Sequence, residues 1–311
     1  MKGFRHIGFL LTSIFAVISC EREDIARCPI QETGRPIEFA IENDWPEITK
    51  ALINSSEDIK EEGFRAWGVK TPDYGESFVF GDDGTGVYYE EGKWRSEVVK
   101  DWQIANYSFA AILPPSEFDG RYSEKTLTLD LGEAGFSLAD NQKDLMYAFC
   151  DVDNTKNEAK SVDFVFNHAF SSLDIRLKRN GAFVTKVMLY GIHNKIQGEL
   201  DFFYTSEGIS TNLKEILADK TTQDSPYYLK SYSEVGQGFN YSTDEISIIK
   251  DLYSPEPLLV FPEDLSFTPL KIVVGLFYQG KSIELSAEIN TGEWSPGLSY
   301  VYVLEFNNNN I

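Results

Sequence analysis

The side chains that could catalyse a reaction are few in this chain, and they form no recognisable constellation. Its three histidines are His6, His168 and His193. No serine lies in a Gly-x-Ser-x-Gly sequence, and no Cys-x-x-Cys or His-x-x-x-His spacing is present to bind zinc. His168 lies among phenylalanines in a strand pattern, so we expect it to be structural and hydrogen-bonded. His193 falls in a predicted turn, where we expect it at the surface.

Acidic residues offer two further chemistries, and the sequence selects neither. Asp151 and Asp153 begin like a calcium-binding loop, but Lys156 and Val162 stand where that loop requires glycine and glutamate. We therefore interpret 151–161 as a polar linker. Two carboxylates could act as in glycosidases, but nothing marks a pair among 49 acidic residues. We expect no enzymatic activity, no cofactor and no metal.

The strongest chemical signal is a cysteine that ends a short apolar N-terminal segment. Two basic residues precede 7–18, which is too short to cross a bilayer and has the proportions of a cleaved secretory signal. The sequence Val17-Ile18-Ser19-Cys20 resembles the lipobox of bacterial lipoproteins. The resemblance implies cleavage between Ser19 and Cys20 and acylation of Cys20, which would anchor the chain. The alternative is an ordinary signal with an incidental cysteine.

Charge and cysteine content restrict the partners and the compartment. The chain has 28 basic and 49 acidic residues and a net charge of -21. Such a surface repels phosphate groups, so we expect no nucleic-acid partner. If Cys20 is acylated, Cys28 and Cys150 remain for a candidate disulfide in an oxidising compartment. Two separate thiols are the alternative, since sequence does not show proximity.

The rest of the sequence favours β-strands. Ile37, Phe39 and Ile41 recur with period two, which is typical of a half-buried strand. The clearest hairpin joins 271–278 to 282–289 through a turn that contains Gly280.

The sequence pattern also predicts the helices, the fold class and the domain boundaries. Helices are predicted only at 44–51 and 210–218. Many short strands separated by Gly and Pro predict an all-β fold built from sandwiches. The tryptophans are interpreted as core between sheets rather than as an exposed binding cluster. The proposed divisions are a signal peptide 1–19, a tether 20–35, an N-terminal β-sandwich 36–158 and a C-terminal β-sandwich 159–311.

Five segments then carry a resemblance through their order and spacing. They are Phe64-Arg65-Ala66-Trp67-Gly68-Val69; the Trp94 and Trp102 region leading to Tyr107–Pro114; Asp144-Leu145-Met146-Tyr147-Ala148; Phe166-Asn167-His168-Ala169-Phe170-Ser171-Ser172-Leu173; and Trp294-Ser295-Pro296-Gly297-Leu298-Ser299-Tyr300-Val301-Tyr302. Together, behind a lipobox, they resemble the fimbrillin family, the lipoprotein subunits of type V fimbriae.

The resemblance implies two transthyretin-like β-sandwich domains in tandem, without enzymatic activity, and assembly by strand exchange. In that mechanism a trypsin-like protease cuts after a basic residue, the first strand leaves, and its groove accepts a strand from another subunit. Here Ile37, Phe39 and Ile41 mark the candidate exchangeable strand. Arg27 and Lys50 are the candidate protease sites, although Arg27 lies too early to release that strand.

We therefore expect a surface-exposed lipoprotein that is lipid-anchored in the outer membrane. It would act as a fimbrial anchor, accessory or minor subunit, supporting adhesion and joining other fimbrial subunits by strand addition. The position of Arg27 and the short sequence after Tyr302 both favour this role over that of a main stalk subunit. The first alternative is an adhesin outside any filament that binds a host protein or glycan. A secreted carbohydrate-active enzyme is the second.

Overall fold

Strands make up nearly all of the regular structure in the computed structural model of the protein, which confirms the predicted all-β class. One short helix, α1 (Ser56–Glu62), stands among the described strands. None of the described helices is long and apolar enough to cross a membrane. The structure describes residues 34–42, 56–71, 77–115, 119–132, 136–137, 144–178, 181–205, 208–214, 219–220, 227–231, 245–248 and 258–306.

The first half of the chain supplies a series of strands that reaches from the N-terminal segment to residue 168. Their bounds are β1 Glu38–Ile41, β2 Phe64–Thr71, β3 Ser77–Phe78, β4 Thr85–Glu90, β5 Lys93–Ser96, β6 Asn106–Leu113, β7 Asp119–Ser123, β8 Thr126–Asp130, β9 Phe136–Ser137, β10 Met146–Asp153, β11 Ser161–Phe164 and β12 Asn167–His168.

The second half continues with longer strands that end near the C-terminus. Their bounds are β13 Ser171–Lys178, β14 Phe183–Tyr190, β15 His193–Ile196, β16 Glu199–Thr205, β17 Gly208–Lys214, β18 Asp219–Lys220, β19 Tyr227–Ser231, β20 Glu245–Ser247, β21 Leu258–Val260, β22 Leu270–Tyr278, β23 Lys281–Ile289 and β24 Ser299–Glu305.

A seven-stranded sheet lies at the centre of the first half, and its strands β2, β6 and β10 are largely buried on both faces. Its order is β12-β10-β6-β2-β4-β5, with β3 against β2. Along β6, Phe109 and Leu113 point into one apolar cluster, while Ala110 and Ile112 point into another. Because both faces are covered, β6 reads as a continuous apolar run rather than an alternating one.

The two clusters on these faces differ in extent. The groove core contains Ile37, Phe39, Phe64 and Phe164 and belongs entirely to the first half of the chain. The large core lies on the opposite face and continues into β13, β14 and β22 of the second half. It is covered by a second sheet of order β17-β16-β8-β7, in which β16 pairs with β8. Strand pairing therefore crosses the predicted boundary at 158/159.

The second half forms two further four-stranded sheets around the large core. In one, β13 pairs with β24 in parallel and with β20 and β21 in antiparallel orientation. The other has the order β19-β14-β22-β23. The predicted hairpin is confirmed as β22–β23, where Gln279 and Gly280 have φ values of 48° and 80° and form a two-residue turn.

Neither of the two predicted helices is confirmed by the structure. Residues 208–214 form strand β17 against β16, so the helix predicted at 210–218 is wrong over that range. The helix predicted at 44–51 lies outside the described residues. Arg35–Ile311 forms one compact unit. The tandem arrangement of two domains stays a prediction.

Candidate functional site

The N-terminal strand β1 lies in a groove whose two sides both offer backbone hydrogen bonds. On one side, the Ile37 amide donates to the Lys100 carbonyl at 2.7 Å and the Trp102 amide donates to the Arg35 carbonyl at 2.8 Å. On the other side β1 pairs in parallel with β11, from Glu38 opposite Ser161 to Ile41 opposite Phe164. A segment of so few residues is thus held as an inner strand would be.

Two side chains of this segment fill the groove core. Ile37 and Phe39 are only 5% and 6% exposed, whereas Ile41 is half-buried. The Phe39 ring stacks on Phe164 with centroids 5.9 Å apart and meets the edge of Phe64 at the same distance. Aromatic pairs with such geometry contribute about 0.5–1.5 kcal/mol beyond their area burial. The sequence prediction of a strand with apolar residues 37 and 39 inward is confirmed.

The residue before this strand is also held by side-chain contacts. The Arg35 guanidinium donates to the Ala159 carbonyl at 3.1 Å and to Asn157 Oδ1 at 2.5 Å. Arg35 thereby joins the start of β1 to the loop that precedes β11. A protease would have to disengage this side chain before it could cut after Arg35.

The edge strand β24 is a second surface where another strand could add. Among the described strands it pairs only with β13, over Ser172–Lys178. Its outward valines, Val301 and Val303, are 44% and 49% exposed. An edge with unpaired backbone groups and apolar side chains can accept a further strand.

The chain also has three motif segments that meet at one place. His168 Nδ1 lies 2.8 Å from Asp144 Oδ2, and both side chains are buried. The Ser171 hydroxyl donates to the Ser295 carbonyl at 2.8 Å. The Gly297 amide donates to the Phe170 carbonyl at 2.9 Å. The three segments therefore hold one another in place, and His168 has the buried position and polar contact predicted for it.

The C-terminal motif has a physical explanation in its tyrosine hydroxyls. Trp294, which is 1% exposed, donates from Nε1 to the Tyr302 hydroxyl at 3.0 Å. The Ser295 amide donates to the Tyr300 hydroxyl at 2.8 Å. Burial raises the pKa of Tyr302. Alternate tyrosines on β24 thus reach back to fix the turn that precedes them.

Comparison with known proteins now identifies the family. The model of fimbrillin-like proteins matches residues 70–311. The chain belongs to the fimbrillin-like family. Among curated proteins, no sequence matches this chain.

Solved structures similar to this fimbrillin-like chain include several proteins from Bacteroides. A fimbrial protein from Bacteroides vulgatus is 14% identical, with 87% of this chain and 95% of that chain covered and a TM-score of 0.46. A suspected cell adhesion protein from Bacteroides ovatus is 15% identical, with 89% and 94% covered and a TM-score of 0.48. Another from Bacteroides uniformis is 14% identical, with 88% and 94% covered and a TM-score of 0.46. At these values the similarity says nothing of function.

The other predicted site residues of this fimbrillin-like chain fall in different places. Cys150 lies half-buried on β10 and forms no disulfide with another described residue, and burial raises the pKa of its thiol. Its predicted partner Cys28 lies outside the described residues, so the pairing stays a prediction. The same holds for Ser19 and Cys20, and for the protease sites at Arg27 and Lys50.

The structure also shows where the predicted linker and the tryptophans lie. Residues 151–153 belong to β10, and Asp153 caps its own turn by accepting from the Thr155 amide and hydroxyl. Among the described residues, no group of three His, Cys, Asp or Glu side chains could hold a metal ion. Trp67, Trp102 and Trp294 are buried, as predicted for core residues, whereas Trp94 is half-buried and packs against the groove core.

Several contacts of the site could not be predicted from the sequence. Lys100 and Ser161, which bound the groove, carry no local signal because their role depends on strand pairing across the fold. His193 was predicted at the surface, but it is half-buried, and its Nδ1 contacts Glu263 Oε1.

Proposed function

We propose that this protein is an adhesion-related accessory or anchoring subunit of a fimbrium that joins other subunits by strand addition. Membership of the fimbrillin-like family supports a fimbrial role. No enzymatic role is proposed. The lipobox-like sequence before Cys20 supports attachment to the outer membrane through acyl chains.

The seating of β1 is the observation that carries the strand-addition proposal. A groove bounded by backbone groups on both sides and lined by phenylalanine rings is complementary to any strand with apolar residues at alternate positions. If β1 leaves, the amides and carbonyls of β11 and the ring faces of Phe64 and Phe164 become exposed. A strand from another subunit would satisfy the same groups.

The contacts of Arg35 support retention of β1 rather than its release. Its guanidinium is engaged by Asn157 and the Ala159 carbonyl, and Pro36 follows it in the sequence. Cleavage after Arg27 would leave β1 in place, whereas cleavage after Lys50 would separate it from the rest of the chain. A subunit that keeps β1 has a closed groove and would offer other surfaces, such as the β24 edge, to its partners.

The first experiment is to determine the N-terminus of the protein isolated from its native cell surface by mass spectrometry. An acylated Cys20 on a chain that includes β1 is the expected result. An N-terminus beyond residue 50 would contradict the accessory reading, because it would mean an opened groove and a polymerising subunit. A Cys20→Ala variant that still partitions with outer membranes would contradict the anchor.

A second experiment tests the groove itself. A recognition site for a specific endoprotease, inserted within 43–55, would let β1 be cut free after folding. A labelled peptide of residues 34–42 should then exchange into the groove, because the groove offers it two rows of hydrogen bonds and two apolar pockets. The matched control is the same peptide with Phe39→Ala, which should bind far more weakly. Equal exchange of both peptides would contradict strand addition at this groove.

A further inference from the structure

A cavity of about 390 Å³ lies on the second half of the chain, away from the β1 groove. Its lining includes the buried Phe170, Phe202 and Phe261, the largely buried carboxylate of Glu263, and a rim formed by the exposed Asp264 and Glu293. The volume falls in the range of about 300–1,000 Å³ that is typical of small-molecule pockets. The combination of aromatic walls and acidic rim restricts what could bind there.

Four separate parts of the fold build this cavity. Strand β16 supplies Phe202, and the segment between β12 and β13 supplies Phe170. The segment after β21 supplies Phe261 and Glu263, and the segment before β24 supplies Glu293. The Phe170 and Phe261 rings meet edge to face with centroids 4.9 Å apart.

Backbone hydrogen bonds join the two rim segments to each other in the absence of a ligand. The Trp294 amide donates to the Glu263 carbonyl at 2.8 Å, and the Leu265 amide donates to the Gly292 carbonyl at 2.9 Å. Asp264 and Glu293 stand opposite each other in a β-bridge. A preformed rim lowers the entropy lost when a ligand binds.

The charge of the cavity favours a cation. None of the described residues that line it is lysine or arginine, and three are carboxylates. The Glu263 side chain is only 7% exposed and contacts His193. A carboxylate with so little access to water gains more from an adjacent positive charge than an exposed one does.

We infer that this cavity binds an ammonium group carried on an apolar stem. The ammonium would lie near the carboxylates of Glu263 and Glu293, and the stem would lie against the apolar part of the lining, which includes Ala169, Pro262 and Pro296. Two sources share this chemistry, a free alkylamine and the lysine side chain of a protein. The inference does not depend on the fimbrial role, because it rests only on the walls and charges of the cavity.

The test is isothermal titration of the full-length mature chain with four probes at low ionic strength. The probes are n-butylammonium, n-butanol, Nα-acetyl-lysine methylamide and its Nε-acetylated form. The two ammonium compounds are expected to bind, and each neutral counterpart is expected to bind at least about tenfold more weakly. Binding of n-butylammonium alone would assign the site to free amines, and binding of the lysine derivative would extend it to lysine side chains.

Variants decide whether binding occurs at this cavity. Glu293→Gln removes an exposed rim charge and is expected to weaken ammonium binding by about fivefold at low salt. Glu263→Gln should weaken it more, and circular dichroism would verify that each variant folds. The matched control is Glu288→Gln, which removes an exposed carboxylate on β23 and should leave binding unchanged.

Three results would overturn the inference. If n-butanol bound as tightly as n-butylammonium, the cavity would be an apolar pocket without selection for charge. If Glu288→Gln weakened ammonium binding as much as Glu293→Gln, the cations would only be counterions of an acidic surface. Absence of any binding by either ammonium compound would overturn it as well.

Discussion

Replacing Phe39 with alanine tests whether β1 is part of the core or only lies on it. The ring is 6% exposed and lies within about 6 Å, centroid to centroid, of Phe64, Phe80 and Phe164. Removing a buried phenylalanine side chain typically costs about 3–5 kcal/mol, from lost transfer free energy and from the cavity left behind. Because β1 is a short strand of four residues that can relax around the truncated side chain, we expect the lower part of that range, about 3 kcal/mol.

The assay is urea unfolding followed by tryptophan fluorescence, with hydrogen exchange at two amides. Trp102 lies in the groove core and reports its disruption. The amides of Ile37 and Glu42 donate to Lys100 and Phe164 carbonyls, so their exchange measures the seating of β1 directly. Phe39→Ala should accelerate both. The matched control is Glu38→Ala on the outward side, which should change stability by no more than about 0.5 kcal/mol.

Two outcomes of the Phe39→Ala experiment would contradict the expected role of Phe39 in the core. If Phe39→Ala lowered the free energy of unfolding by less than about 1 kcal/mol and left both amides protected, Phe39 would not anchor the strand. If hydrogen exchange accelerated without loss of global stability, β1 would be a separately opening unit, as strand exchange requires. These two outcomes are distinguishable in one set of samples.

Three further predictions concern the interior. Burial raises the pKa of Tyr147 from 10.0 to about 12, so the stabilisation from its neutral form is fully present below pH 10 and is lost as pH rises towards 12. Tyr147→Phe should therefore flatten the fall in unfolding free energy measured over that window, by up to about 3 kcal/mol. His168→Asn and Asp144→Asn, measured singly and together by urea unfolding, should show a coupling energy of about 1 kcal/mol or more, since the pair is buried; strict additivity would contradict the contact. Trp294→Phe should cost about 1 kcal/mol through the lost hydrogen bond to Tyr302, and Tyr302→Phe about the same, whereas a sum of the two costs in the double variant would argue against a shared bond.

How much of the fold the sequence predicts depends on the range of the interaction. The β22–β23 hairpin was predictable because its turn and its strand pattern lie within one short window. The segment 210–218 has apolar residues at helical spacing, yet 208–214 is a strand because β16 presents an unpaired edge to it. Local propensity is weaker than such pairing, so short apolar runs are ambiguous. Of the groove, only the strand that fills it, β1, was predictable, because its alternating apolar residues lie close together in the sequence. The residues that bound the groove were not predictable.

Pairings between distant segments account for what the sequence did not predict. The parallel alignment of β13 with β24 joins residues from different parts of the chain, and no local pattern specifies it. The contact of His168 with Asp144 is of the same kind, although each residue lies in a motif that marked it. The cavity lined by Phe261 and Glu263 depends on four segments, so no local sequence pattern indicates it.

The separation of the two cores bears on how a strand could be exchanged without unfolding the protein. Ile37 and Phe39 contact only the groove core, on one face of the central sheet. The opposite face packs in the large core, which also holds β13, β14 and β22. Loss of β1 would therefore remove contacts from one face while the other face stayed packed. Since β6 contributes alternate side chains to both cores, the central sheet would keep its backbone pairing during such an exchange. Under the proposed strand addition, this arrangement would let the groove act as a docking site while the rest of the protein stays folded.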